Sequence, residues 1–315
     1  MRTSQREKII ILGGNIFIFY MNKLRRLLLL FRNLITELFC SPIIINASVS
    51  IGYDGKPIHC NWGDDINYWF LREISNRPIL MYNQTVVARI FNRKNILGIG
   101  SIIGMFSNTK SIVWGSGILD STITNIPKPY EIRAVRGPLT RQMLLNNGIE
   151  CPEIYGDPAL LVSKYYQPKI EKKYKLGIIS QYTQGQRKDA NKAFGEFDDQ
   201  LYIDIANYGD WHNFIDQILS CEAIVSSSLH GLIVSEAYGV PSVWIEMQTS
   251  IPTHRIKYFD FYESIGKKCM PMVISRSISR QEIMNQIAKW RPGKINLQPL
   301  IDCAPFKLKQ FKYDK

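Results

Sequence analysis

The sequence predicts an α/β protein of two domains built on parallel sheets, and three observations lead to that class. The first is the stretch AIVSSSLHGLIVSEAYGVPSVWIE at residues 223–246. A short apolar strand, three serines, a helically spaced run from Leu229 to Tyr238 and a second strand from Ser242 to Glu246 make one β-α-β unit. Gly239 and Pro241 end its helix, and strands joined in this way lie parallel. The second observation is that strand and helix patterns alternate on both sides of a polar, lysine-rich stretch from Lys164 to Lys175, which has few core positions and reads as a linker. The third is bulk: 315 residues, 45% of them hydrophobic, suffice for two packed domains of ordinary size.

In chain order, residues 1–40 read as a basic and apolar extension. Its run IIILGGNIFIFY at 9–20 is short for a bilayer span and is followed by Lys23, Arg25 and Arg26 and then by LLLLF. Cations after the run are wrong for a secretory signal. The segment reads as an interfacial anchor meeting anionic headgroups or as a buried helix, with Met21 an alternative translation start.

The first domain is placed at 41–168. Ile43 to Ser50 is strand-like, and Asn61 to Ser75 opens on polar turn residues and continues with helical spacing. The apolar runs Ile96 to Ile99 and Ile112 to Trp114 each end in glycine and serine, as parallel strands do when their C-terminal loops need close backbone approach. Glu131 to Val135 is a further strand. Gly137-Pro138 starts a helix that Gly148 closes, and Ile154-Tyr155 leads into the turn Gly156-Asp157-Pro158. The second domain, 169–290, has strands near Lys175 to Ile179, Leu201 to Ile205 and Ala223 to Val225, with helices at Asp210 to Ser220 and Arg280 to Trp290. Residues 291–315 form a basic tail that packs back on the first domain or stays mobile.

A net charge of +12 implies attraction to anions: phosphorylated substrates, anionic lipid surfaces, acidic glycans or nucleic acid. No RNA or DNA module is recognisable, so nucleic acid ranks low. The six cysteines, at 40, 60, 151, 221, 269 and 303, lack a CxxC pair or a zinc spacing. Reduced thiols in a cytoplasmic protein account for them, and no ligand cluster calls for a metal.

Ligands of open α/β sheets bind outside the carboxyl ends of the strands, where helix N-termini offer N–H groups to anions. His230 stands at such a turn, just after Ser226, Ser227 and Ser228. An anion nearby would favour the protonated imidazole and make His230 a proton donor. The competing reading is a satisfied structural histidine, with Glu236 capping or pairing in the core.

Six motifs then agree with one family: NWGDDIN at 61–67, WGSG at 114–117, AVRGPLTR at 134–141, YGDPALL at 155–161, SSSLHGLIVSEAYGVP at 226–241 and KYFDFYESIG at 257–266. In this order the chain closely resembles the polysaccharide pyruvyl transferases from about Asn61 to Gly266. The resemblance implies two Rossmann-like domains facing a cleft, in the manner of the GT-B fold. It also implies transfer of pyruvate from phosphoenolpyruvate onto two sugar hydroxyls as a cyclic ketal, with no further cofactor. The acceptor in such families is a hexose of an exopolysaccharide, capsule or wall polymer, usually within a lipid-linked repeat unit. That suits a cytoplasmic protein with peripheral contact at the inner face of the membrane.

Such chemistry needs a proton at C3 of the enol, a base for a sugar hydroxyl, and cations for phosphate and carboxylate. His230 matches the family's LH motif and is the candidate acid. Arg136 matches the Arg of AVRGPLT, and its forked donors suit an anion bidentately. Asp64 and Asp65 are candidates for acceptor orientation or base, against a capping role at the helix start. Asn61 and Gly63 shape that loop. Gly115 and Ser116 offer close backbone approach to a ligand, while Asp157 reads as a turn residue. Arg255 and Lys257 are further candidates for phosphate, and the aromatic run at 258–262 reads as core.

Two positions depart from relatives. Ser228 stands where other branches carry a basic residue two positions before the motif His, which leaves a second cation to Arg136, Arg255 or Lys257. Gln181 stands where relatives of this shorter architecture often carry a His, and it can bind sugar but not shuttle protons. Two other functions compete. EAYGVP at 236–241 resembles the segment by which GT-B glycosyltransferases hold a sugar nucleotide, with Glu236 on the ribose. A non-catalytic glycan- or lipid-binding scaffold is the other.

Overall fold

A computed structural model describes residues 23–181, 193–195, 197–247, 250–274 and 279–311. The apolar run at 9–20 lies outside these residues. Among the described residues ten strands form two five-stranded sheets, both wholly parallel: β2-β1-β3-β4-β5 and β10-β9-β8-β6-β7. The first contains β1 (Ile43–Ile45), β2 (Ile79–Met81), β3 (Asn95–Leu97), β4 (Ser111–Trp114) and β5 (Glu131–Ala134). The second contains β6 (Tyr174–Ile179), β7 (Gln200–Ile203), β8 (Cys221–Ser226), β9 (Ser242–Met247) and β10 (Met272–Ile274). Numbered within its own half, each sheet has the order 2-1-3-4-5. Such sheets reverse strand order between their first and third strands, and a crevice opens there at the carboxyl edge. The two switch points are therefore β1/β3 and β6/β8.

The strands fall on either side of the Lys164–Lys175 stretch, but the two halves share one continuous apolar core. Trp62 joins them: its ring stacks on Phe214 at 4.7 Å, its indole N–H donates to the Trp211 carbonyl at 2.8 Å, and its backbone N–H donates to Ile205. The helix Leu229–Tyr238 sits at the centre. Leu232, Ile233 and Val234 are fully buried, so its apolar side is not one stripe but most of its girth. Burial of side chains this size contributes about 1.5–3 kcal/mol each. Gly239, at φ 69°, closes the helix in the left-handed conformation that glycine adopts without strain.

β2 and β10 are not among the strands expected from the sequence. Each is three residues long and is held only by pairing with its neighbour, β1 or β9, a non-local cause that no local pattern records. β1 is shorter than the expected strand: the Asn46 N–H makes its last bond to β3, to the Ile96 carbonyl at 2.9 Å, and the Asn46 side chain donates to the Phe106 carbonyl at 2.7 Å. The tail packs back on the first sheet. Trp114 donates to the Leu300 carbonyl at 2.8 Å, Leu300 is fully buried, and the Lys309 N–H reaches the Ile74 carbonyl at 2.7 Å.

Residues 23–39 form a helix docked through buried Leu29, Asn33 and Glu37. The Glu37 carboxylate accepts from the N–H groups of Val86 and Ala88, both at 2.8 Å, and so caps the short helix Val87–Ile90. No helix among the described residues is long and apolar enough to cross a membrane.

Candidate active site

Two helix N-termini meet, Gly63 of one lying against His230 of the other. One begins Trp62–Ser75, on the connection leaving β1, and the other begins Leu229–Tyr238, directly after β8. Asn61 caps the first, accepting from the Gly63 N–H at 3.2 Å, and Asp64 and Asp65 follow as first-turn acids that favour the positive helix end. Asn67, one turn on, clamps the loop after β3: its Oδ1 accepts from the Ile99 N–H and its Nδ2 donates to the Ile99 carbonyl, both at 2.9 Å.

His230 lies directly against the first helix. A Cβ on residue 63 would fall 2.1 Å from His230 Nδ1, so only glycine leaves room for the imidazole. Gly63→Ala is therefore expected to displace the ring and lower kcat by roughly 100-fold, the usual scale for an ångström of misplacement, with far-UV circular dichroism unchanged. An unaltered kcat would show that the position of the ring does not matter.

His230 is 8% exposed, and its buried Nε2 has no hydrogen-bond partner among the described residues. Burial, then the positive charges of Arg136 and Lys257, push its pKa down to about 3, so the imidazole is neutral near pH 7. Lys257 is half-buried and forms no ion pair with a described residue. Burial and the Arg136 charge push it down to about 8, with Asp64 pulling the other way. Asp64 is half-buried too. Burial pushes its carboxyl up to about 6, opposed by a 2.8 Å hydrogen bond from Asn61 Nδ2, raised further by Asp65 and lowered by Lys257. A histidine, a carboxyl and an amine with displaced pKa values thus act on this junction, an electrostatic pattern common at reactive sites.

Asp65 points elsewhere. It is 1% exposed, and its Oδ2 accepts from the Tyr208 hydroxyl at 2.9 Å and the Cys60 N–H at 3.2 Å, tying the helix start to the second half. Arg136 is fully buried and already engaged: Nε donates to Asp260 Oδ2 at 3.0 Å, Nη2 to the Ile118 carbonyl at 2.9 Å and Nη1 to Ser101 Oγ. Asp260 in turn accepts from the Thr140 N–H at 2.8 Å and hydroxyl at 2.7 Å. The guanidinium lies against Gly117, where a Cβ would come within 2.3 Å of Cζ. Arg136 therefore reaches His230 and Lys257 through its field, not through a free fork.

The WGSG glycines serve this packing. Gly115, at φ 84°, would place a Cβ 2.6 Å from the Gly156 carbonyl, and buried Ser116 donates to the Gly100 carbonyl at 2.8 Å. The close approach there is by the chain's own Gly156-Asp157-Pro158 turn, whose Asp157 accepts from the Ala159 N–H at 3.0 Å. Of the three serines, Ser226 Oγ bridges the Ser228 N–H and carbonyl at 3.0 and 2.9 Å. Ser227 Oγ accepts from the Gln181 N–H at 3.0 Å, and its carbonyl accepts from the Tyr258 hydroxyl. Gln181 Nε2 also donates to Tyr258, at 3.1 Å. Ser228, the N-cap position, makes no side-chain capping bond.

Two further candidates face away from the junction. Arg255 grips Glu246 with Nε at 2.7 Å and Nη2 at 3.0 Å. Glu236 accepts from Lys267, from the Trp290 indole at 3.0 Å and from the Gly293 N–H at 3.0 Å, so both its oxygens are engaged on the far side of its helix. Against the ribose-binding expectation stands this engagement: both Glu236 oxygens already accept from the chain's own donors, where a sugar hydroxyl would have to donate to them. Asn67, Ser101, Thr140, Gln181, Tyr258 and Asp260 complete the surroundings of the site. Asn67, Thr140, Tyr258 and Asp260 lie inside recognised motifs, but nothing in the motifs says what they touch. Among the described residues, no group of three His, Cys, Asp or Glu side chains is placed to hold a metal ion.

The family model for polysaccharide pyruvyl transferase matches residues 2–249. This chain belongs to the polysaccharide pyruvyl transferase family. The match takes in five of the six motifs, and KYFDFYESIG lies beyond its end. Among curated relatives of this pyruvyl transferase family member, the succinoglycan biosynthesis protein ExoV of Rhizobium meliloti is 26% identical over 239 residues, 74% of this chain and 70% of ExoV. The uncharacterized protein L143 of Acanthamoeba polyphaga mimivirus is 32% identical over 173 residues, 53% of this chain. The match spans 59% of the L143 protein's own length. No solved structure matches the chain.

Proposed function

We propose that this chain transfers pyruvate from phosphoenolpyruvate onto two hydroxyls of one sugar, as a cyclic ketal, in polysaccharide biosynthesis. The observation that carries the reading is the buried Nε2 of His230, without a partner among the described residues, where the ring lies against Gly63 at the junction of two helix N-termini and the charge of Lys257 acts on it. Buried polar atoms are nearly always paired in native proteins, and this one meets its partner in substrate.

The donor is a trianion at most, and Lys257 with the first-turn N–H groups of Leu229–Tyr238 meets its phosphate and carboxylate. That negative charge offsets Arg136 and Lys257, so the His230 pKa rises when the donor binds and the imidazolium forms where it is needed. His230 then gives its proton to C3, turning the methylene into a methyl group. The first sugar hydroxyl adds at C2, phosphate leaves with its bridging oxygen, and the second hydroxyl closes the ketal at the same carbon. Of the two hydroxyl protons lost, one replaces the proton delivered to C3 and the other leaves with phosphate. Asp64 is the base that collects them in turn.

We read the two halves, 41–168 and 169–290, as two Rossmann-like domains of GT-B type facing this cleft, and the protein as cytoplasmic with an acceptor presented on a lipid carrier. The glycosyltransferase alternative is weaker because Glu236, its ribose ligand, is taken by Lys267, Trp290 and Gly293. Thermal shift with phosphoenolpyruvate beside UDP- and GDP-sugars separates the two. A ligand bound only by the folded state at a hundredfold excess over Kd stabilises by about 2.7 kcal/mol. Phosphoenolpyruvate alone is expected to raise Tm, and a rise with nucleotide sugar alone would move the chain to the glycosyltransferases.

A further inference from the structure

The helix over residues 23–39 carries a second set of features that the transfer chemistry does not use. Leu24, Leu27, Leu28, Phe31, Ile35 and Leu38 are 50, 55, 58, 61, 43 and 56% exposed. Their spacing of three and four residues puts them on one face, opposite the docked Leu29, Asn33 and Glu37. A water-facing helix of a soluble protein has polar residues there instead. Phe39, at 80% exposed, continues the stripe, and Ile90 and Phe91, 67 and 72% exposed, stand on the short helix that Glu37 caps.

The charges beside this face have one sign. Lys23, Arg25, Arg26 and Arg32 are exposed, and the only acid of the helix is buried Glu37. Arg89, Arg93 and Lys94 follow on the neighbouring segment, again with no acid between Val86 and Lys94. Behind the helix a cavity of about 670 Å³ has Arg32, Lys56, Arg72 and Arg77 in its walls, together with Asp54 and Glu73. An apolar stripe on a helix whose exposed charges are all cations matches a surface that is apolar inside and anionic at its rim.

We infer that the apolar face of helix 23–39 is a membrane-docking surface that lies in the headgroup region of an anionic bilayer, with Lys23, Arg25 and Arg26 on the lipid phosphates. This deepens the reading of an enzyme whose acceptor sits on a lipid carrier. Docking in the interface plane would keep the junction of the two sheets beside the surface that presents the sugar.

Flotation of the full chain with phosphatidylcholine vesicles, with and without phosphatidylglycerol, tests it. The expected result is binding to the anionic vesicles, weakened by high salt, and at least about tenfold weaker for Leu27→Glu/Phe31→Glu. Both residues are exposed, so the variant should keep its Tm. It should also keep turnover on a short, water-soluble acceptor, which separates a failure of docking from a failure of the pyruvyl transfer reading. Three results would overturn the inference: no binding to either vesicle; loss of binding in Phe17→Glu/Phe19→Glu with none in Leu27→Glu/Phe31→Glu, which would assign the anchor to residues 9–20; or a dimer in solution that Leu27→Glu/Phe31→Glu dissociates while vesicle binding is unaffected.

Discussion

His230→Gln is expected to lower kcat by about 10²–10⁴-fold, the range of a lost general acid, while phosphoenolpyruvate still raises Tm. Glutamine keeps the approximate shape and a polar end against Gly63 but cannot deliver a proton. The pH dependence of kcat/KM, which reports the free enzyme, gives the other half of the test. Asp64 works as a base only when ionised, so the acid limb should rise through its pKa of about 6. Lys257 binds phosphate only when protonated, so the alkaline limb should fall through about 8. Asp64→Asn should remove the acid limb with most of kcat, and Lys257→Met the alkaline limb with a rise in KM for phosphoenolpyruvate. The titration of His230, at about 3 in the free enzyme, should leave no limb between these two. A profile flat from pH 5 to 9 in the wild type would remove Asp64 and Lys257 from the mechanism.

The second large effect is on stability. Asp260→Ala leaves the fully buried guanidinium of Arg136 without its counter-charge and takes the acceptor from the Thr140 N–H and hydroxyl. Breaking one side of such a pair costs about 3–5 kcal/mol, a large part of the stability of an ordinary domain. The denaturant midpoint should fall accordingly, and a loss below about 1 kcal/mol would show that the pair is not the anchor it resembles. Replacing both partners by apolar residues, Arg136→Met with Asp260→Leu, should recover much of that loss, because the desolvation penalty of both ions disappears with them. In that folded double variant a positive charge no longer acts on Lys257. Its pKa should rise, moving the alkaline limb of kcat/KM above 8.

Much of the fold was legible along the chain. The apolar runs, the serine-rich turn before His230, the Asn61 cap and the glycine stop at Gly239 are signals spread over a few residues, and the elements they predict are present. β2 and β10, the outer strands that pair with β1 and β9, were not read from the sequence. The membership of the family rests on motifs in order, which a sequence displays directly.

The site was legible as a set of names and not as a set of roles. Asp64 and Asp65 are neighbours in sequence, yet successive residues on a helix point about 100° apart, so one faces Lys257 and the other Tyr208. Arg136, Arg255 and Lys257 are equivalent cations in composition. Asp260 and Glu246 claim the first two, and only packing across 124 and nine residues of chain could make those claims. Sequence alone determined which residue types and local elements this protein has, because hydrophobic period, caps and turns act over one or two turns of chain. Tertiary structure alone decided which polar groups stay unpaired at the cleft, because whether a buried charge has a partner depends on residues that only folding brings within hydrogen-bond reach.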